Sequence, residues 1–252
     1  MESPSIGIQL YTLRDELNTD FAGTLKKVKE IGYSNVELAG YGGYEAKELR
    51  TLLNELGLSA ISSHVSLVDL EGKLSSIIEY NLEIGSQFLV CPWLPEEKRK
   101  SRDDYYRLGE VLNKVGEQCS AHKLQLLYHN HEFEFERFNG QFGLDILLEN
   151  TDSSLVQLEL DTYWAEYAGV SAVEYLERNA NRCRTIHIKD MADTPEKEFT
   201  ELGNGTIDIP AILQASVKLG VDCAFVEQDV CKRSPLESIA ISFDYLKKLG
   251  AV

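Results

Sequence analysis

The feature that most restricts this chain is a recurring unit, in which a short, uninterrupted apolar run is followed by an amphipathic stretch that closes on glycine or a polar turn. The spacing is roughly thirty residues, the length of a βα unit. The apolar runs are IGIQLY, NVEL, LSAISSHV, QFLVC, LQLLYH, LVQLEL, RTIHI and CAFVE. The helical patterns that follow cover Phe21–Ile31, Ala46–Leu56, Leu74–Ile84, 103–121, 144–149, 170–178, Ile209–Leu219 and 235–249. Strands that alternate with helices run parallel, and strands apolar on both faces are covered on both faces. Eight such units ending on a helix predict an α/β fold, the (β/α)8 TIM barrel. A doubly wound open sheet is the alternative, but it would place a glycine-rich phosphate loop after its first strand, where this chain reads TLRDELN. A length of 252 residues suits one barrel, so residues 1–252 are expected to form a single domain.

The strand ends carry the chemistry. At the C-terminal face of such a barrel the ends of all strands meet, and polar residues there build active sites. Here the runs open onto Gln9 and Tyr11, Glu37, His64, Cys91 and Trp93, the cluster HNHEFE at 129–134, Asp161, His187 with Lys189, and Glu227. Asp161, His187 and Glu227 each follow an apolar run, where an uncompensated charge is costly to bury. Carboxylates with an imidazole suit Mn²⁺, Co²⁺, Zn²⁺ or Mg²⁺, with positions left for substrate oxygens. The ordinary structural reading is that Asp161 caps a turn, His187 is a hydrogen-bonded core residue and Glu227 pairs with a basic side chain.

The fourth ligand is expected from the fifth strand. Alternation sets His129, His131 and Phe133 against Tyr128, Asn130, Glu132 and Glu134 if the strand runs on. Glu134 is the preferred ligand and Glu132 the lesser candidate, with His129 and His131 touching substrate or supporting a ligand. Lys189 shares the parity of His187 and should face the cavity, unless it pairs with Asp190 or Asp161. His64, Gln9 and Trp164 are candidate substrate contacts, and GNGTID at 203–208 is expected to shape one wall of the mouth.

Together HNHEFEF, DTYW, HIKDM, GNGTID and VEQD resemble the sugar phosphate isomerase/epimerase branch of the xylose-isomerase-like barrel superfamily, and the likeness runs over nearly the whole chain. The resemblance implies a divalent metal held by two glutamates, an aspartate and a histidine on strands five to eight. It carries the aspartate onto Asp161, the histidine onto His187 and the last glutamate onto Glu227. The strand-five glutamate of the ketose epimerases falls near Tyr128 or His129, where this chain has no carboxylate; their substrate-facing glutamate falls near Glu134. Where they have a histidine three residues past the metal aspartate, this chain has Trp164.

The expected enzyme is a metal-dependent sugar isomerase or epimerase working through an enediolate, with Glu134 or Glu227 moving the proton and Lys189 or His129 assisting. The alternative on the same scaffold is a keto-sugar dehydratase or glycoside-eliminating lyase, with His129 or His131 as the acid; a non-catalytic sugar-binding barrel is a further one. A net charge of −16, from 25 basic and 41 acidic residues, repels a phosphate backbone and disfavours an endonuclease-IV-like nuclease. The partner is therefore expected to be a small sugar, with no nucleic acid and no membrane, and a homo-oligomer left open because Trp93, Tyr163 and Trp164 could line a subunit contact. Five scattered cysteines without CxxC spacing, and no apolar run of membrane-spanning length, fit reduced thiols in a cytoplasm.

Overall fold

A computed structural model describes residues 4–252 of the chain. The eight barrel strands are β1 (Ser5–Gln9), β2 (Asn35–Leu38), β3 (Ser59–His64), β4 (Phe88–Cys91), β5 (Gln125–His129), β6 (Val156–Asp161), β7 (Cys183–Ile188) and β8 (Cys223–Val226). Each pairs in parallel with its sequence neighbour, and β1 pairs with both β2 and β8, so the sheet closes into the expected TIM barrel.

The intervening helices form where the periodicity places them. Phe21–Ile31, Ala46–Leu56, Leu74–Ile84 and Ile209–Leu219 match the sequence pattern end to end. Asp20 caps the first of these by accepting the Gly23 N–H, and Gly57 ends the second in the left-handed region. Their apolar faces, such as Leu25 and Val28, are fully buried against the outer side of the sheet. Each such side chain contributes about 1.5–3 kcal/mol relative to exposure. Short helices at Arg14–Thr19, Leu67–Gly72 and Thr162–Tyr167, and two small hairpins after β5 and β7, lack a clear signal in the pattern because each is under seven residues per element.

The lumen is layered by strand alternation. Its lower part is apolar: Phe88, Val90 and Leu127 form a cluster apart from the main core. Gly7 is required there, since a Cβ on it would stand 2.6 Å from the Phe225 ring. Above that the lumen turns polar, with Glu37, Ser62, Glu159, Thr185 and His187 all fully buried. A hollow of about 220 Å³ beside the start of β1 is lined by Pro4, Ile6, Pro210, Leu213 and Val217, with no titratable side chain among the described residues that line it.

Candidate active site and metal centre

Register brings the charged residues together. Asp161 and His187 are direct partners across β6 and β7, His129 is opposite Glu159 across β5 and β6, and Glu227 follows the last residue of β8. The ligand-type atoms of His129, Asp161, His187 and Glu227 lie within 4.8 Å of one another, and all four residues are buried. His187 Nδ1 is 2.8 Å from Glu227 Oε2, and His129 Nε2 is 3.6 Å from Asp161 Oδ2. Asp161 also starts the short helix Thr162–Tyr167, its Oδ1 accepting the Trp164 N–H at 2.9 Å. Capping and participation in the cluster therefore coexist in one side chain.

Lys189 lies in the midst of the carboxylates. Its Nζ is 2.6 Å from Glu227 Oε2, 2.7 Å from Asp229 Oδ2 and 2.9 Å from Asp161 Oδ2. Burial opposes its charge, but Asp161, Asp229 and Glu227 outweigh burial and hold its pKa well above the usual value. For Glu227, burial works to raise the pKa, while Lys189 and His187 more than offset it and hold the carboxyl below its usual range. For Asp161 burial wins, and its pKa is pushed up to about 6. The difference is geometric: Asp161 Oδ2 lies near Lys189 Nζ yet has no aligned hydrogen bond, so this buried oxygen is left orphaned. An orphaned carboxylate oxygen among imidazoles and a second carboxylate fits a divalent metal of the Zn²⁺, Mn²⁺ or Co²⁺ kind.

This floor opens into a cleft of about 470 Å³, lined by His64, His129, His131, Trp93, Glu227 and Asp229 among others. Residues 25–249 match the family model described as xylose isomerase-like TIM barrel. The chain belongs to that family. Among curated proteins it is similar to the inosose dehydratase of Geobacillus kaustophilus, 26% identical, the match covering 89% of this chain and 86% of that protein. An inosose dehydratase of Mesomycoplasma hyopneumoniae is 24% identical, with 91% and 88% covered. Among solved structures, a sugar phosphate isomerase/epimerase from Parabacteroides distasonis superposes with a TM-score of 0.85 at 26% identity, covering 100% of this chain and 96% of that one. The IolI protein, whose crystal structure carries a zinc atom, shares the fold with a TM-score of 0.75 at 15% identity, with 98% of each chain covered.

In this xylose isomerase-like barrel Glu134 does not join the cluster, and that corrects the expected fourth position. β5 stops at His129, and Glu132–Phe135 is a 3₁₀ turn, so strand parity no longer applies. The Glu134 carboxylate instead accepts the Tyr128 hydroxyl at 2.5 Å and the His131 N–H at 2.7 Å. Burial pushes its pKa up to about 8. Glu132 is half-buried and outside both groups of ligand-type atoms. His129 takes the place on strand five, and burial, helped by the His187 charge, holds it neutral by lowering its pKa well below the ordinary value.

The remaining candidates divide between cleft and floor. His64 and His131 line the cleft. Burial, with Lys189 adding to it, pushes the His131 pKa down to about 3. Gln9 is not free to meet a substrate: its amide N–H₂ donates to Glu37 and its carbonyl accepts the Tyr11 N–H, fixing it below the cleft. The Trp164 ring lies 5.7 Å from Lys189 Nζ and the same distance from His131. Asp190 points away from Lys189. Its carboxylate accepts the N–H groups of Met191, Gly203, Gly205 and Ile207, so GNGTID is wound around one side chain. Gly205 is needed there, because a Cβ would stand 2.3 Å from Asp190 Oδ1. Glu159 and Asp229 went unremarked in the sequence reading. Glu159 had a visible signal, being a charge within an apolar strand two residues from Asp161 and on the same face.

Proposed function

We propose that this chain is a metal-dependent keto-sugar dehydratase, removing water from a small polyhydroxylated ketone. The observation that carries the reading is the meeting of Asp161, His187 and Glu227, with His129 in reach, at the floor of a cleft that also presents His131. Dehydration is preferred over isomerisation because the curated relatives matched along most of their length are named inosose dehydratase. Isomerisation or epimerisation is the second reading, supported by the likeness to the Parabacteroides structure.

A divalent cation bound here would polarise the substrate carbonyl and so acidify the neighbouring C–H. Lys189 holds Glu227 and Asp229 in place by ion pairs at 2.6 and 2.7 Å and keeps Glu227 ionised. His131, held neutral by burial, accepts the proton from the carbon beside the carbonyl. The C–H electron pair becomes the C=C bond, the C–O bond to the β-hydroxyl breaks, and the His131 imidazolium returns its proton to the departing oxygen. Water and an unsaturated ketone result, with atoms and charge balanced. A neutral polyol suits the cleft better than a polyanion, given a net charge of −16.

The test is incubation of the Mn²⁺-, Co²⁺- or Zn²⁺-loaded protein with cyclic and open-chain keto-polyols, followed by mass spectrometry and NMR. Loss of one water from at least one substrate is expected, abolished in His131→Gln with bound metal retained. An isomer of unchanged mass carrying solvent deuterium would instead select the second reading, and no conversion of any keto-polyol would retire both.

A further inference from the structure

The proposed reaction leaves one carboxylate of the cleft without a task of its own. Asp229 stands two residues past Glu227, beyond the end of β8, and its side chain lines the cleft with 22% of its surface exposed. Its Oδ2 accepts Lys189 Nζ at 2.7 Å, while Oδ1 has no donor among the described residues. Glu227, by contrast, is 5% exposed and held between His187 and Lys189. Of the two carboxylates on the cleft wall, Asp229 is therefore the one with an oxygen free for an incoming molecule.

The segment that carries it is tied down on several sides. Arg14 Nη2 donates to the Asp229 carbonyl at 3.0 Å, the Gln228 N–H donates to Thr12 Oγ1 at 3.0 Å, and the Gln228 side-chain amide donates to the Val230 carbonyl at 3.1 Å. Lys189 fixes the carboxylate itself. An acceptor set in place before its ligand arrives loses little freedom on binding, which is what a group that discriminates between ligands requires.

Charge decides what this oxygen accepts and what it refuses. Among the described residues that line the cleft there is no lysine or arginine. Lys189 is 1% exposed, with Nζ enclosed by oxygens of Glu227, Asp229 and Asp161, so its charge is turned inward and offers nothing to a substrate anion. Arg14, beside the same segment, is committed to the backbone carbonyls of Tyr11 and Asp229. A phosphate or carboxylate on the substrate would be stripped of water next to Asp229 with no cation to receive it. A hydroxyl meets the opposite situation, since it donates to Oδ1 in a charge-assisted hydrogen bond. We propose that Asp229 is the specificity-determining residue of the cleft, accepting a hydroxyl of a neutral keto-polyol through Oδ1 and excluding phosphorylated and carboxylated sugars. This assignment rests on the proposed function for the polyol class and adds the side chain that reads the substrate.

The test measures binding apart from turnover. Full-length Mn²⁺-loaded protein is titrated by calorimetry with a neutral hexahydroxycyclohexane, which has no carbonyl and cannot lose water by this route, and with each of its monophosphates. The wild type is expected to favour the neutral polyol over every monophosphate by ~100-fold. Asp229→Asn keeps the size of the side chain and an acceptor but removes the charge, and should narrow that ratio at least ~10-fold by weakening the polyol and strengthening the monophosphates. A wild type that binds any monophosphate as tightly as the neutral polyol, or binds neither, overturns the proposal. A ratio unchanged in Asp229→Asn also overturns it and leaves Asp229 as a structural partner of Lys189. Should the variant melt early by circular dichroism, a wild-type crystal soaked with the polyol decides: a hydroxyl about 3 Å from Asp229 Oδ1 supports the proposal and none there overturns it. Selective binding with no water lost from any keto-polyol would remove the proposed function alone, and water lost equally fast from neutral and phosphorylated keto-polyols would remove the role of Asp229 alone.

Discussion

Glu134 and Glu227 are both buried glutamates at the C-terminal face of one barrel, and they end in opposite states. Glu134 sits in a turn with only neutral donors, the Tyr128 hydroxyl and the His131 N–H, and burial pushes its pKa up to about 8. Glu227 is only 5% exposed, but Lys189 and His187 touch it, and it is held ionised. Burial alone therefore does not decide the chemistry of a carboxylate in this lumen; the charge of its neighbours does. Glu134 belongs to the scaffold of the turn, and Glu227 to the open floor.

The largest effect that tests this contrast is expected at the floor. Asp161→Asn or His187→Ala should lower metal affinity at the mouth and turnover by more than the ~10–100-fold typical of losing an orienting partner, with an unchanged far-UV spectrum; retained full turnover in either would break the assignment. Next comes Lys189→Met, which strands three carboxylates and should cost about 3–5 kcal/mol of folding stability in the metal-free protein. Added Mn²⁺ should restore part of that loss, since a dication supplies the missing positive charge, and denaturant titration with and without metal reads both.

Glu134→Gln should then change the pH dependence of stability more than stability itself. A carboxyl whose folded pKa is about 8 binds a proton that the unfolded chain has lost above its ordinary value of ~4.3. Its contribution is fully present below the unfolded value, falls as pH rises through the window between the two, and levels off above the folded one. The glutamine variant should lose that part of the slope, measured as melting temperature across the window; an unaltered slope would mean Glu134 is already ionised. Trp93→Ala should have the smallest effect. Its side chain is 50% exposed at the cleft rim, so stability should move by less than about 0.5 kcal/mol, while KM for a keto-polyol rises if the indole meets the substrate.

The barrel was legible because repetition is a property of the whole chain: eight apolar runs with glycine-ended helices leave few other ways to bury the same faces. Asp161, His187 and Glu227 were legible for a related reason, each being a lone charge at a strand end, where alternation and register determine direction. Legibility failed where the strand failed. HNHEFEF reads as a continuing strand, yet the chain leaves the sheet after His129 and turns, so parity beyond that residue assigned Glu134 to a cavity it does not face. Glu159 carried a signal of its own, a charge in an apolar strand on the same face as Asp161, but its partners show only when the histidines of three other strands are placed around it. Lys189 shows the limit of pairwise thinking: its partners are Asp161, Glu227 and Asp229, which lie on different strand ends and meet only in the closed barrel.

The knot of amides on Asp190 has a consequence for how the mouth can breathe. Four backbone N–H groups tied to one carboxylate, next in sequence to Lys189, make that side of the entrance a fixed doorpost. Yielding to an incoming sugar thus falls to the far side, where Tyr11 and Trp93 stand in solvent. Hydrogen exchange should find the amides of Gly203, Gly205 and Ile207 slow with or without ligand, and a hinge located there would contradict it.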